Sequence, residues 1–119
     1  MGWFSKKNDG FFLATVVPTG DGGGARVERF LGIVNGEAII GANIFRDMFS
    51  SVRDVVGGRA GGYERALAGA RDAAVADMME AAKELGADGI VGIDFDYEVL
   101  GETNGMMMVA VSGTAVKMA

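Results

Sequence analysis

The chain has 119 residues, 50 % of them hydrophobic, and 16 acidic against 11 basic side chains leave a formal charge of −5. That is one domain's length with enough apolar material for a core, and the negative balance argues against nucleic acid and anionic membrane, which both reward clustered Lys and Arg. Cys and His are absent, which removes disulfides, thiolate and imidazole metal sites, cysteine nucleophiles and most routes to general acid–base catalysis near neutral pH.

The opening MGWFSKKNDGFF has two lysines and two aromatic pairs but no hydrophobic region or small-residue cleavage site, so no signal peptide is expected. No apolar run approaches the roughly 20 residues of a membrane helix, and a cytoplasmic location is the expectation. Phe11–Val17 is rich in β-formers and predicts a short strand, followed by a flexible loop over Pro18–Gly24. Arg26–Ile40, with Gly32 and Gly36 inside it, predicts a long strand with a bulge or bend. Asn43 is placed to cap a short helix from Ile44 to about Val55, ended by Gly57-Gly58. A second, long helix is predicted from about Gly62 to Leu85. Its apolar stripe is Tyr63, Leu67, Ala70, Ala74, Met78, Ala81 and Leu85, at steps of three and four, with Gly86 as C-cap. Gly89–Leu100, the turn Gly101–Gly105 and Met106–Lys117 form a hairpin, with Asn104-Gly105 suited to positive φ. The order strand, strand, helix, helix, strand, strand implies an α+β fold: an antiparallel sheet with one long and one short helix packed on one face.

The last strand is apolar or small on both faces: Met107, Val109, Val111, Gly113 and Ala115 on one, Met106, Met108, Ala110, Ser112, Thr114 and Val116 on the other. A sheet covered on one side shows a polar second face, so the second face calls for cover too, from the short helix or from neighbouring subunits. We favour subunits, because large exposed apolar patches mark interfaces.

Three constellations carry potential chemistry. In GIDFDYE, strand periodicity puts Asp94, Asp96 and Glu98 on one face, about 7 Å apart in succession. That is too far for three direct bonds to one ion unless copies converge in an assembly. The matching ion is a hard divalent cation; the alternative is a solvated or arginine-paired strand face. Arg46-Asp47 and Arg53-Asp54 lie seven residues apart, on nearly one helical face. With Arg59 they suit an ion-pair network at a subunit interface, since the guanidinium fork binds carboxylates bidentately. Arg59 could instead hold an anion beside backbone N–H groups at the next helix start, but GGRAGG lacks the lysine and Ser/Thr of a phosphate loop. Met106, Met107 and Met108 offer thioethers, yet alternation splits them between faces, which suits core filling. Tyr63 and Tyr97 read as packing residues with a polar tip.

The motifs GANIFRDMF, RDVVGGRAGGYE, LGADGIVGIDFDYE and VSGTAV, spanning about Leu31 to Val116, resemble the YbjQ family, small bacterial proteins labelled heavy-metal-binding and otherwise uncharacterised. The resemblance implies a dodecin-like β-α-β-β subunit, a ring-shaped homopentamer and a single domain over 1–119, with residues 1–25 as a variable lead-in. The expected function is a non-enzymatic, ring-forming domain that binds metal by family resemblance, with no cofactor beyond a divalent cation and no partner but itself. The alternative is a module holding a small ligand between subunits.

Overall fold

A computed structural model describes residues 10–21, 24–41, 58–100 and 105–119, with backbone alone over 58–63. The elements are β1 (Phe12–Leu13), β2 (Val27–Ile40), α1 (Gly58–Glu84), β3 (Gly89–Leu100) and β4 (Met106–Met118). They form one four-stranded sheet in the order β1-β3-β4-β2. β4 is a central strand, antiparallel to β2 on one side and to β3 on the other; its Val109, Val111 and Ala115 are buried on the helix side, while on the second face Val116 is buried and Ser112 exposed. β3 and β4 pair antiparallel as the expected hairpin, with Leu100 opposite Met106; the expected turn at Asn104 lies outside the described residues.

The sheet is mixed rather than antiparallel throughout. Phe12 and Leu13 pair in parallel with Gly89 and Ile90. The strand expected over Phe11–Val17 is only two residues long. It stops where β3 bulges: the β3–β4 register shifts between Val91 and Asp94, and Gly92 has φ +64°. A bulge bends its strand and breaks the ladder. One further bond crosses there, from Ile93 N–H to the Ala14 carbonyl at 3.1 Å. The bend foreseen in β2 is real, with register shifts between Val27 and Arg29 and between Phe30 and Gly32, and φ +146° at Gly32.

The long helix begins at Gly58, four residues earlier than expected. Glycine costs a helix about 1 kcal/mol per residue, and the continuous backbone hydrogen bonding of α1 overrides that local penalty. The expected short helix over 44–55 lies outside the described residues, so the described architecture is one helix on one face of the sheet. No described helix is long and apolar enough to cross a membrane. The end of α1 follows the glycine rule: Gly86 has φ +83°, its N–H donates to the Lys83 carbonyl, and Ala87 N–H donates to the Ala82 carbonyl at 3.1 Å. This paired 5→2 and 6→1 closure is a Schellman motif, and it satisfies carbonyls that the helix end would orphan.

The core lies between α1 and the sheet. Ala70, Ala74, Val75, Met78, Met79 and Ala82 of the helix meet Val34, Ile40, Val109, Val111 and Ala115 of the strands. Val75, Met79 and Ala82 widen the predicted stripe, whereas Leu85, past the end of α1, is 47 % exposed. Small residues let the helix descend closely. A Cβ at Gly36 would overlap the Ala74 carbonyl and stand 2.7 Å from Met78 N, so α1 sits directly over β2 at this point. The helix packs chiefly on β2, less on β4, and scarcely touches β3.

Two glycines give opposite expectations. Gly36→Ala forces backbone against backbone and is expected to lower stability by roughly 1–3 kcal/mol or more. Gly69→Ala, where an added Cβ meets nothing within 4 Å, is expected to stabilise by about 0.5–1 kcal/mol through helix propensity. Urea midpoints of the two variants, measured side by side, check both signs.

Candidate functional site

The side of the sheet away from α1 carries the acidic row expected from the sequence. Register defines its rows: Asp94, Ser112 and Asn35; Asp96, Ala110 and Glu37; Glu98, Met108 and Ile39. Asp94, Asp96 and Glu98 therefore share one face, as strand periodicity predicts, and all three are exposed. The opposite face of the same strand presents Phe95, Tyr97 and Val99 towards the helix side. Glu37 adds a fourth carboxylate to the open face, separated from Asp96 by Ala110 and so about two strand spacings away, near 10 Å. It was not singled out from sequence. Carrying the alternation of Ile33, Asn35, Glu37 and Ile39 across the sheet is the signal that finds it.

The centre of this face is small, with Ala110 and Ser112 between acidic flanks. Among the described residues the open face has no ion pair; the described pair is Lys117–Asp88, at 3.6 Å, with both side chains nearly half exposed. That pair contributes little as a charge interaction. Asp88 does more by accepting a hydrogen bond from Met118 N–H at 2.7 Å, tying the end of α1 to the end of β4. Near the Gly89 end the face is closed, with Val91 and Val116 at 1 % and 0 % exposure. Towards Leu100 and along β2 it is open, with Ile33 at 85 % and Ile39 at 52 %.

Among the described residues no group of three Asp or Glu side chains is close enough to hold a metal ion. The donors available on the open face are carboxylate oxygens, which suit hard cations. A thiophilic heavy metal prefers thiolate, imidazole or clustered thioether ligands, and with no Cys or His in the chain the residues of one chain do not fit it. The methionines do not change this: Met78 and Met79 are core residues, Met107 packs against the core, and Met106 and Met108 face the other way. Of the arginine–aspartate set, Arg46, Asp47, Arg53 and Asp54 lie outside the described residues. So does the side chain of Arg59, whose backbone is in the first turn of α1. A shallow apolar recess of about 210 Å³ lies beside the β3 bulge, lined by Leu13, Ala14, Thr15, Ile93 and Phe95. The parallel β1–β3 contact creates it, and no sequence pattern points to that contact.

Comparison with known proteins gives two findings. A solved structure from Pediococcus pentosaceus, a protein with unknown function of the DUF74 family, superposes with a TM-score of 0.57 at 16 % identity, covering 92 % of this chain and 99 % of that one. At that identity the likeness is one of fold. The family model of YbjQ, described as "Putative heavy-metal-binding", matches residues 15–119. The matched span takes in both the acidic strand and the hairpin that carries it, and the chain belongs to the YbjQ family.

Proposed function

We propose that the protein is a non-enzymatic, ring-forming homo-oligomer, a pentamer as the family resemblance implies, and that its ligand is a hard divalent cation held by carboxylates of neighbouring copies. The observation that carries this reading is the row Asp94, Asp96 and Glu98. It is exposed on one face, without a counter-ion among the described residues and too dispersed to close around an ion within one chain. Converging rows would supply the missing ligands. Such a site belongs to the assembly and not to the subunit, and it needs neither Cys nor His. The uncovered apolar residues of the sheet support assembly independently. The arginine–aspartate set Arg46, Asp47, Arg53, Asp54 and Arg59 belongs, on this reading, to the ion pairs between subunits.

The recess beside the β3 bulge favours a second reading, a small apolar ligand held near a subunit seam. Its size weighs against that: about 210 Å³ falls short of the roughly 300–1,000 Å³ typical of ligand pockets.

Light scattering is expected to return about five times the 12.3 kDa chain mass, as a closed cyclic assembly requires; a clean monomer overturns the reading. Ca²⁺, Mg²⁺ or Mn²⁺ is expected to raise the melting midpoint, since an ion bound only to the native state stabilises it by about 2.7 kcal/mol at a hundredfold excess over Kd. Asp96→Asn is expected to lose most of that rise while keeping its mass. A midpoint unmoved by any of the three ions at millimolar concentration removes the cation site.

A further inference from the structure

The apolar recess beside the β3 bulge opens next to β1, which ends one side of the sheet and has no described strand on its outer edge. Phe12 N–H donates to the Asp88 carbonyl at 3.0 Å, Ala14 N–H donates to the Ile90 carbonyl at 3.1 Å, and the Ala14 carbonyl accepts from Ile93 N–H. Phe12 and Ala14 therefore turn their backbone groups towards β3. By strand alternation Leu13 turns its own outward, with Phe11 and Thr15 in the same phase, where an added strand meets them. We propose that residues 1–7 run back along β1 as an antiparallel strand of the same chain and seat Trp3 in the recess. The inference is independent of the cation reading.

The junction with the described chain identifies the occupant. Lys7-Asn8-Asp9-Gly10 has the pattern of a type I turn with glycine in its fourth position. Gly10 has φ +83°, the left-handed setting of the glycine that closes a three-residue hairpin loop. With Asn8, Asp9 and Gly10 as that loop, Lys7 stands opposite Phe11, Ser5 opposite Leu13 and Trp3 opposite Thr15. These are the positions whose backbone groups point outward, so the turn and the free edge are in phase. The same register puts Trp3 on the face of Leu13 and Thr15, which line the recess with Ala14, Ile93 and Phe95. Phe4 falls on the other face, opposite Ala14 and diagonal to Phe12, within reach for an aromatic pair. Lys6 and Lys7 then lie on the outermost strand, where lysine discourages further pairing.

Size agrees as well. A recess of about 210 Å³ is small for a free ligand but suits one large aromatic side chain, which buries about 150–250 Å² of surface. Seated there, Trp3 takes the space that the small-ligand reading needs. The same segment of a second copy would meet the same edge, but a three-residue loop within one chain closes at the least entropic cost.

Trp3 is the only tryptophan of the chain, so the intrinsic fluorescence of the full-length protein reads the seat. The expected result is blue-shifted emission, with acrylamide quenching several-fold weaker than that of free N-acetyltryptophanamide. Thr15→Asp, on the exposed rim of the recess, is expected to move the emission to the red and restore quenching with an unchanged circular dichroism spectrum. Emission of the unaltered chain like that of the free compound overturns the seat, and so does shielding that Thr15→Asp leaves intact. Register is read separately, because the chain has no native cysteine. Phe4→Cys combined with Ala14→Cys places thiols at facing positions that exchange no backbone hydrogen bonds, where Cα atoms come within disulfide range. Mild oxidation is expected to close a disulfide inside one chain. A disulfide joining two chains assigns the edge to a second copy and overturns the same-chain strand; thiols that stay free overturn the register.

Discussion

The seating of α1 on β2 is the constraint from which the rest follows. It depends on the absence of a side chain at Gly36, which lets the Ala74 turn of the helix rest against strand backbone. The alanines of the buried stripe serve the same end, because small residues shorten the distance between helix axis and sheet. Since close packing rewards contact at van der Waals distance and forfeits it across small gaps, a helix able to descend at β2 stays there rather than centring itself over the sheet.

Placing the helix over an edge strand divides the sheet into unequal halves. The β2–β4 half has a dry core, with Val109, Val111 and Ala115 almost wholly buried. In the distal half of β3 only Phe95 packs against that core among the described residues, Tyr97 and Val99 stay about half exposed, and the other row is acidic. A bulge at Gly92 separates that segment from the part of β3 that β1 braces. Gly113 stands opposite the bulge, and a Cβ there would come within 2.6 Å of Ile90 Cγ2, so the distortion is packed tightly. The same strand thus serves the core at one end and presents chemistry at the other.

The carboxylates show what strand geometry withholds from a single chain. Strand geometry spaces Asp94, Asp96 and Glu98 too widely for one ion, and Ala110 stands between Asp96 and Glu37. No side-chain rotation turns that row into a compact ligand set. On the proposed reading, copies brought together do so, and affinity for cations is tied to assembly.

Much of this was legible in the residues themselves. Alternation in GIDFDYE placed the three carboxylates on one face and Phe95, Tyr97 and Val99 on the other. The three- and four-residue steps of Ala70, Ala74 and Met78 marked the buried helix stripe, Gly86 its end, and the two β-rich segments Gly89–Leu100 and Met106–Lys117 the antiparallel pair. These are local properties, set by the backbone periods of helix and strand and by the steric freedom of glycine. What the tertiary structure alone decided is non-local: the parallel β1–β3 contact, the extension of α1 back to Gly58, the membership of Glu37 in the acidic face, and the choice of β2 as the helix's seat. Each depends on which strands become neighbours and on how closely two backbones can approach, and no periodicity within a single segment carries that information.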